Sequence, residues 1–181
     1  MGGLDKGLQA HLGVPLALHA LRRLAPQVAV AAISANRNVA EYESMGVAVW
    51  RDEVPGYAGP LAGVLAGLAR CETPYLATVP CDTPNFPLDL VERLAHGLLD
   101  VGGEMAMAFT REGAVPRPQP VFSLMNTSVR GSAIAYVRGG GANVGAWAGG
   151  QRCARVVFED AGAFFNANTP ADLAQLQAGG G

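Results

Sequence analysis

Residues 75–84 read YLATVPCDTP: an apolar run of strand length that breaks at a proline and presents Cys81, Asp82 and Thr83 before the next proline. Tyr75 to Val79 is therefore expected to be a strand, and Pro80 to Pro84 the loop at its carboxyl end. Working outward, Pro87 to about Leu99 has the spacing of a helix, and so does Leu61 to about Ala69 on the other side, behind a loop of Pro55, Gly56, Gly59 and Pro60. Further back, Val47 to Arg51 reads as a strand ending at Asp52, and Val39 to Met45 as a short helix closed by Gly46. Val28 to Ser34 is a continuous apolar run, as expected of a strand buried on both faces. Pro15 to Leu24 spaces Leu16, Leu18, Ala20, Leu21 and Leu24 along one helical face, with Pro15 suited to the first turn. Strand and helix alternating at this spacing predict right-handed βαβ units and a parallel sheet.

The second half is less regular. Met105 to Phe109 and Val121 to Leu124 read as strands separated by a polar loop, Thr110 to Pro120. Ser128 to Val137 reads as a helix and Arg155 to Phe158 as a strand. Thr169-Pro170-Ala171-Asp172 has the cap, proline and acid of a helix start. Neither an internal repeat nor a long linker divides the chain, so residues 1–181 are expected to form a single domain.

Composition narrows the function classes. The 181 residues are 50% hydrophobic and 15% charged, which excludes disorder as the dominant state. Mean hydropathy is +0.20, yet no apolar run approaches the roughly 20 residues of a membrane span. A net charge of −2 argues against a nucleic-acid partner held through its phosphates. The three cysteines form no CxxC pair, which argues against a zinc site and a disulfide framework and makes a reducing cytoplasm the expected compartment. Met1 to Leu8 lacks the basic and apolar regions of a secretory leader.

In open parallel sheets ligands collect at the carboxyl ends of strands. Polar residues stand there at Ser34 to Arg37, at Asp52, at Cys81-Asp82-Thr83 and at Asn166 to Thr169. Convergence of Asp52, Asp82 and the asparagines would offer hard oxygen ligands, which suit Mg²⁺. Asp82 could equally be a turn or capping residue before the helix at Pro87, and an aspartate such as Asp52 is common at a strand exit. Gly2-Gly3-Leu4-Asp5-Lys6 reads as the tail of a phosphate-binding loop or as a plain surface turn. His11, His19 and His96 have no acid/base partner in the pattern and are read as structural, and Cys81 as a packing residue.

Taken in order, Gly2-Gly3-Leu4-Asp5-Lys6-Gly7-Leu8, Asn36-Arg37, Asp52, Gly59-Pro60-Leu61-Ala62-Gly63, Pro80 to Pro84 and Asn166 to Pro170 form a set. That set closely resembles the molybdenum cofactor guanylyltransferases, from Met1 to about Leu173. The resemblance implies an α/β, Rossmann-like nucleotidyltransferase with a mostly parallel central sheet and helices on both faces. It implies transfer of GMP from GTP to molybdopterin, with Mg²⁺ as cofactor and molybdoenzymes or other cofactor-maturation proteins as further partners. Lys6 matches the family lysine that contacts the GTP phosphates, Asp52 a nucleotide-binding aspartate, and Asp82 the aspartate that binds both Mg²⁺ and nucleotide. Ser34 stands where the family often has a nucleotide-binding asparagine, and a hydroxyl offers less than an amide. The family often has basic residues around Gly139 to Trp147, which this chain lacks. The resemblance therefore leaves Arg111, Arg117 and Arg138 as candidates for the molybdopterin phosphate, each of which could equally be a solvated surface arginine.

Family members start with a strand and the loop L-A-G-G-x-S/A-x-R-M-G-G, and Met1 falls on that motif's methionine. The first strand and most of the loop are thus expected to be missing from this sequence. The strands at Val28–Ser34 and Tyr75–Val79 should then either leave a slot between them, with unpaired backbone groups facing it, or close up with a shifted register. A regular, fully hydrogen-bonded ladder between them would contradict this reading. Two other functions stay open: a cytidylyltransferase for the same cofactor, and a non-catalytic fragment or cofactor-binding partner.

Overall fold

Residues 5–52, 59–167, 171–172 and 174 are described by the structure, a computed structural model. The chain enters through a 3-10 turn at Lys6–Leu8 and a small antiparallel hairpin, β1 (Ala10–His11) and β2 (Val14–Pro15). Helix α1 (Leu16–Leu24) follows directly on Pro15 and buries Leu16, Ala17 and Ala20. Next come β3 (Ala32–Ser34), α2 (Val39–Glu43), β4 (Ala48–Trp50), α3 (Pro60–Arg70), β5 (Tyr75–Thr78) and α4 (Leu90–Asp100). This is the expected alternation, because the apolar periods that define it are local properties of the chain.

The second half folds as β6 (Met105–Glu112), β7 (Val115–Asn126), α5 (Arg130–Arg138), α6 (Val144–Ala148) and β8 (Cys153–Phe158). The stretch expected to be a polar loop, Thr110 to Pro120, is instead the outer arm of a hairpin: Thr110 pairs with Arg117 and Glu112 with Val115. Three prolines disguise it. Along this arm β7 has β6 as its ladder neighbour, since β5 joins it only from Ser123. Pro116 and Pro118 share one parity, so their missing N–H groups can face the open edge at no cost to the ladder.

A four-stranded sheet in the order β5-β7-β6-β8 forms the centre. β6 and β8 pair in parallel, while β7 runs against both β5 and β6. Three of its four strands therefore share one direction. One face packs on α4 through Leu90, Leu94 and Leu98, with Phe86, Phe122, Phe158 and Phe164 completing the cluster. On the other face lie α3, α5 and α6, with Leu61, Leu65, Val137 and Trp147 around Met105, Met107 and Met125. Each such side chain removed from water stabilises the fold by about 1.5–3 kcal/mol.

β3 and β4 form a separate two-stranded parallel sheet. The run from Val28, expected to be a strand buried on both faces, is laddered only at Ala32–Ser34, and Val30 is 73% exposed. β3 does not pair with β5. A slot of about 760 Å³ lies between them, lined by Val28 to Ala32 on one side and Tyr75 to Ala77 on the other. Of the two outcomes expected for these strands, the slot is the one found. The cap Thr169-Pro170 lies outside the described residues, and Ala171 and Asp172 beyond it are helical. No helix among the described residues is long and apolar enough to cross a membrane.

Candidate active site

A cleft of about 590 Å³ opens at the carboxyl ends of β3, β4 and β5 and takes in Ser34, Asn36, Arg37, Asp52, Cys81 and Asp82. Its first end is built on β3 and β4. Their parallel register pairs Ser34 with Trp50, which brings the residues just beyond each strand face to face. Asn36 donates from Nδ2 to Asp52 Oδ2 at 2.7 Å and accepts the Asp52 backbone N–H on Oδ1 at 2.9 Å. Ser34 donates to Asp52 Oδ1 at 3.4 Å. This reciprocal clamp fixes the direction of the Asp52 carboxylate while leaving it open to solvent. Helix α3 starts beside it, and Gly63 lets it approach: a Cβ there would lie 3.2 Å from Ser34 Oγ.

The second end is built on the turn after β5. Asp82 is not the cap of α4, a place taken by Asp89. Two bonds from the far end of the chain hold its turn: Ala167 N–H donates to the Asp82 carbonyl at 2.8 Å, and the buried Thr83 hydroxyl donates to Asn166 Oδ1. The Asp82 side chain is 13% exposed and faces Lys6, whose Nζ lies 3.7 Å from Oδ2. Loss of water around Cys81 Sγ, with Asp82 and Asp5 nearby, pushes that thiol up to about 11, so it stays protonated near neutral pH.

Ser34, Asp52 and Asp82 thus line one cleft, with Lys6 at its edge. Asn168 lies outside the described residues. Arg111 and Arg117 sit on the β6–β7 hairpin and Arg138 in the last turn of α5, with Arg111 bound to Glu159 at 2.9 Å. Asp5, Tyr42 and Asn38 have no individual role in the sequence pattern. Asp5 accepts a hydrogen bond from the Tyr42 hydroxyl at 2.6 Å, and Asn38 donates to its other oxygen at 3.0 Å. The adjacency of Asp5 to Lys6 was the available signal, whereas nothing local marks Tyr42.

Three comparisons bear on this geometry. Residues 1–158 match the family described as MobA-like NTP transferase domain. The chain is similar to the molybdenum cofactor guanylyltransferase of Bordetella petrii, at 57% identity over 97% of this chain and 90% of the relative. The protein of the same name from Methylibium petroleiphilum is 54% identical over 98% and 89% of the two chains. Among solved structures, molybdopterin-guanine dinucleotide biosynthesis protein A from Archaeoglobus fulgidus superposes with a TM-score of 0.75 at 19% identity, covering 97% of this chain and 90% of that one. At that identity the likeness speaks for the fold.

Proposed function

The chain belongs to the MobA-like NTP transferase family, and from that premise we propose that its cleft transfers the GMP part of GTP to the terminal phosphate of molybdopterin and releases pyrophosphate. In this reading the chain works as one nucleotidyltransferase domain in the cytoplasm, and molybdoenzymes or other maturation proteins receive its product. One observation carries it: along a single cleft, an acid clamped by an amide stands at one end and a lysine against a partly buried acid at the other. A nucleoside triphosphate has the matching polarity, with a hydrogen-bonding base edge and a run of anionic oxygens. The names of the Bordetella and Methylibium relatives favour GTP and molybdopterin as the substrates.

Asp52, oriented by Asn36, takes the base end together with Ser34, which donates to the same carboxylate. Lys6 takes the phosphate end, where its ammonium offsets the charge that collects on the departing pyrophosphate. A molybdopterin phosphate oxygen forms a bond to the α-phosphorus of GTP. The bond from that phosphorus to the bridging oxygen breaks, and its electron pair leaves with pyrophosphate. Positioning and electrostatics suffice, so the transfer needs no protein nucleophile.

The residues fit a magnesium ion. Among the described residues no three acids, histidines or cysteines come together, and Mg²⁺ asks for one or two carboxylates while phosphate oxygens and water fill its shell. Asp82 would hold it, and when bound it neutralises charge on the triphosphate. The decisive test is Asp82→Asn, which keeps the shape and removes the charge. Mg²⁺-dependent pyrophosphate release from GTP and molybdopterin should fall by at least about 100-fold, with an unchanged melting curve. Near wild-type turnover would leave Asp82 a mere turn former, and faster turnover of CTP than of GTP would replace the guanylyl reading with a cytidylyl one.

A further inference from the structure

The two segments that meet the substrate in this reading are not adjacent in the chain: the turn at Lys6–Leu8 and the stretch from Ser34 to Asn38. They meet on the Asp5 carboxylate. Its Oδ1 accepts the Tyr42 hydroxyl at 2.6 Å and the Gly7 N–H at 3.2 Å. Its Oδ2 accepts Asn38 Nδ2 at 3.0 Å, and Arg37 Nε stands 3.9 Å away. A carboxylate offers about four acceptor sites. Protein donors thus occupy much of this one's capacity, and Arg37 offsets its charge.

The fit between the turn and α2 is close. Tyr42 is only 3% exposed, and a Cβ on Gly7 would collide with its hydroxyl and press on Cys81 Sγ. The turn lies flat on the tyrosine because residue 7 has no side chain. Burial, and then the bond to Asp5, push the Tyr42 hydroxyl well above its ordinary range, so it remains a donor. Asn38, which starts α2, has a left-handed backbone (φ 51°) and directs its amide at Asp5. Lys6, next in sequence to this anchor, points to Asp82.

We infer that Asp5, held by Tyr42 and Asn38, is a positioning residue that docks the Lys6 turn on α2 and so sets the lysine at the phosphate end of the cleft. The inference rests on the reading of the cleft as a GTP site. Asp5 lines the same cleft, but protein donors take up its oxygens, so it acts through Lys6. Tyr42→Phe removes the hydroxyl while keeping the buried ring.

The experiment is a double-mutant cycle between Tyr42→Phe and Lys6→Ala, read as dissociation constants for GTP and GMP in the presence of Mg²⁺, with melting curves alongside. Lys6→Ala should weaken GTP by tenfold or more and GMP by less than twofold, since GMP lacks the outer phosphates. Tyr42→Phe should show the same selectivity at about threefold to tenfold, and it should have no further effect on the Lys6→Ala background. Asn38→Gly keeps the left-handed backbone and removes the second donor. It should give the same pattern more weakly, and it replaces Tyr42→Phe if that variant does not fold. If Lys6→Ala weakens GTP and GMP alike, the reading of the cleft fails. If Lys6→Ala discriminates but Tyr42→Phe or Asn38→Gly does not, or still acts without the lysine, the positioning role fails and the reading stands.

Discussion

Strands β3 and β6 both arise from short apolar runs, yet they meet different fates. In β6, Met105, Ala106 and Ala108 are fully buried, because β7 and β8 flank the strand and helices cover both faces of its sheet. Around β3 the apolar run has β4 on one edge and the slot on the other, and Val30 stays exposed. An apolar run therefore specifies strand geometry but not burial, which depends on neighbours that distant parts of the chain provide. The division also separates tasks. Core packing is concentrated around β5 to β8, while the cleft is built largely on the less buried β3–β4 side. Ligand sites are commonly drawn from the less stable parts of a fold.

The largest test of this contrast is a pair of truncations. Phe122→Ala empties a fully buried site between Phe86 and Phe164 and should cost about 3–5 kcal/mol. Val30→Ala, on the slot side, should change stability by no more than about 0.5 kcal/mol. Urea denaturation measures both, and similar losses would mean that the β3 region is as well packed as the centre.

A second pair sharpens the same comparison with one kind of substitution. A Cβ on Gly97 of α4 would lie 2.5 Å from Val156 Cγ2, a short branch with little room to move. Gly97→Ala should cost about 1–3 kcal/mol and leave nucleotide binding intact. Gly63→Ala presses on Ser34 Oγ from 3.2 Å instead. Its stability should change by less than about 1 kcal/mol, because alanine suits a helix better than glycine. The loss should appear in GTP affinity, read by titration calorimetry.

The smallest effect concerns acid. His11 is buried, its Nδ1 has no hydrogen-bond partner among the described residues, and its ring stands edge-on to His19 at 5.2 Å. Burial, and then the charge of His19, lower its pKa from the usual value. Between that lowered value and about 6.5 the unfolded chain binds a proton that the folded chain refuses. This contribution to stability is complete above about 6.5 and is lost as pH falls through the window. His11→Leu should flatten the decline in the urea midpoint between about pH 7.5 and pH 5.5, and an unchanged slope would exclude His11 as its source.

Much of the candidate cleft was legible before the fold. Ser34, Asp52 and Asp82 stand at strand exits, and the alternation of apolar runs with helices already gathers such exits on one rim, whereas Lys6 was marked only by the resemblance of its motif. Asn36 appeared in a motif, but its reciprocal grip on Asp52 needed the parallel register of β3 and β4 to be seen.

From the sequence by itself came the order of elements from α1 to α4, because helical and strand periods depend on residues a few positions apart. The pairs of groups that hold the cleft's segments in place are of another kind. Asp5 and Tyr42 are separated by 37 positions, and Thr83 and Asn166 by 83. Nothing in the local pattern couples them. The hairpin through Thr110 to Pro120 was hidden for a related reason, since whether a proline can sit in a strand depends on whether a neighbour needs its missing N–H. Which strands acquire a second neighbour, and which side chains then meet, was decided only when the chain had closed on itself.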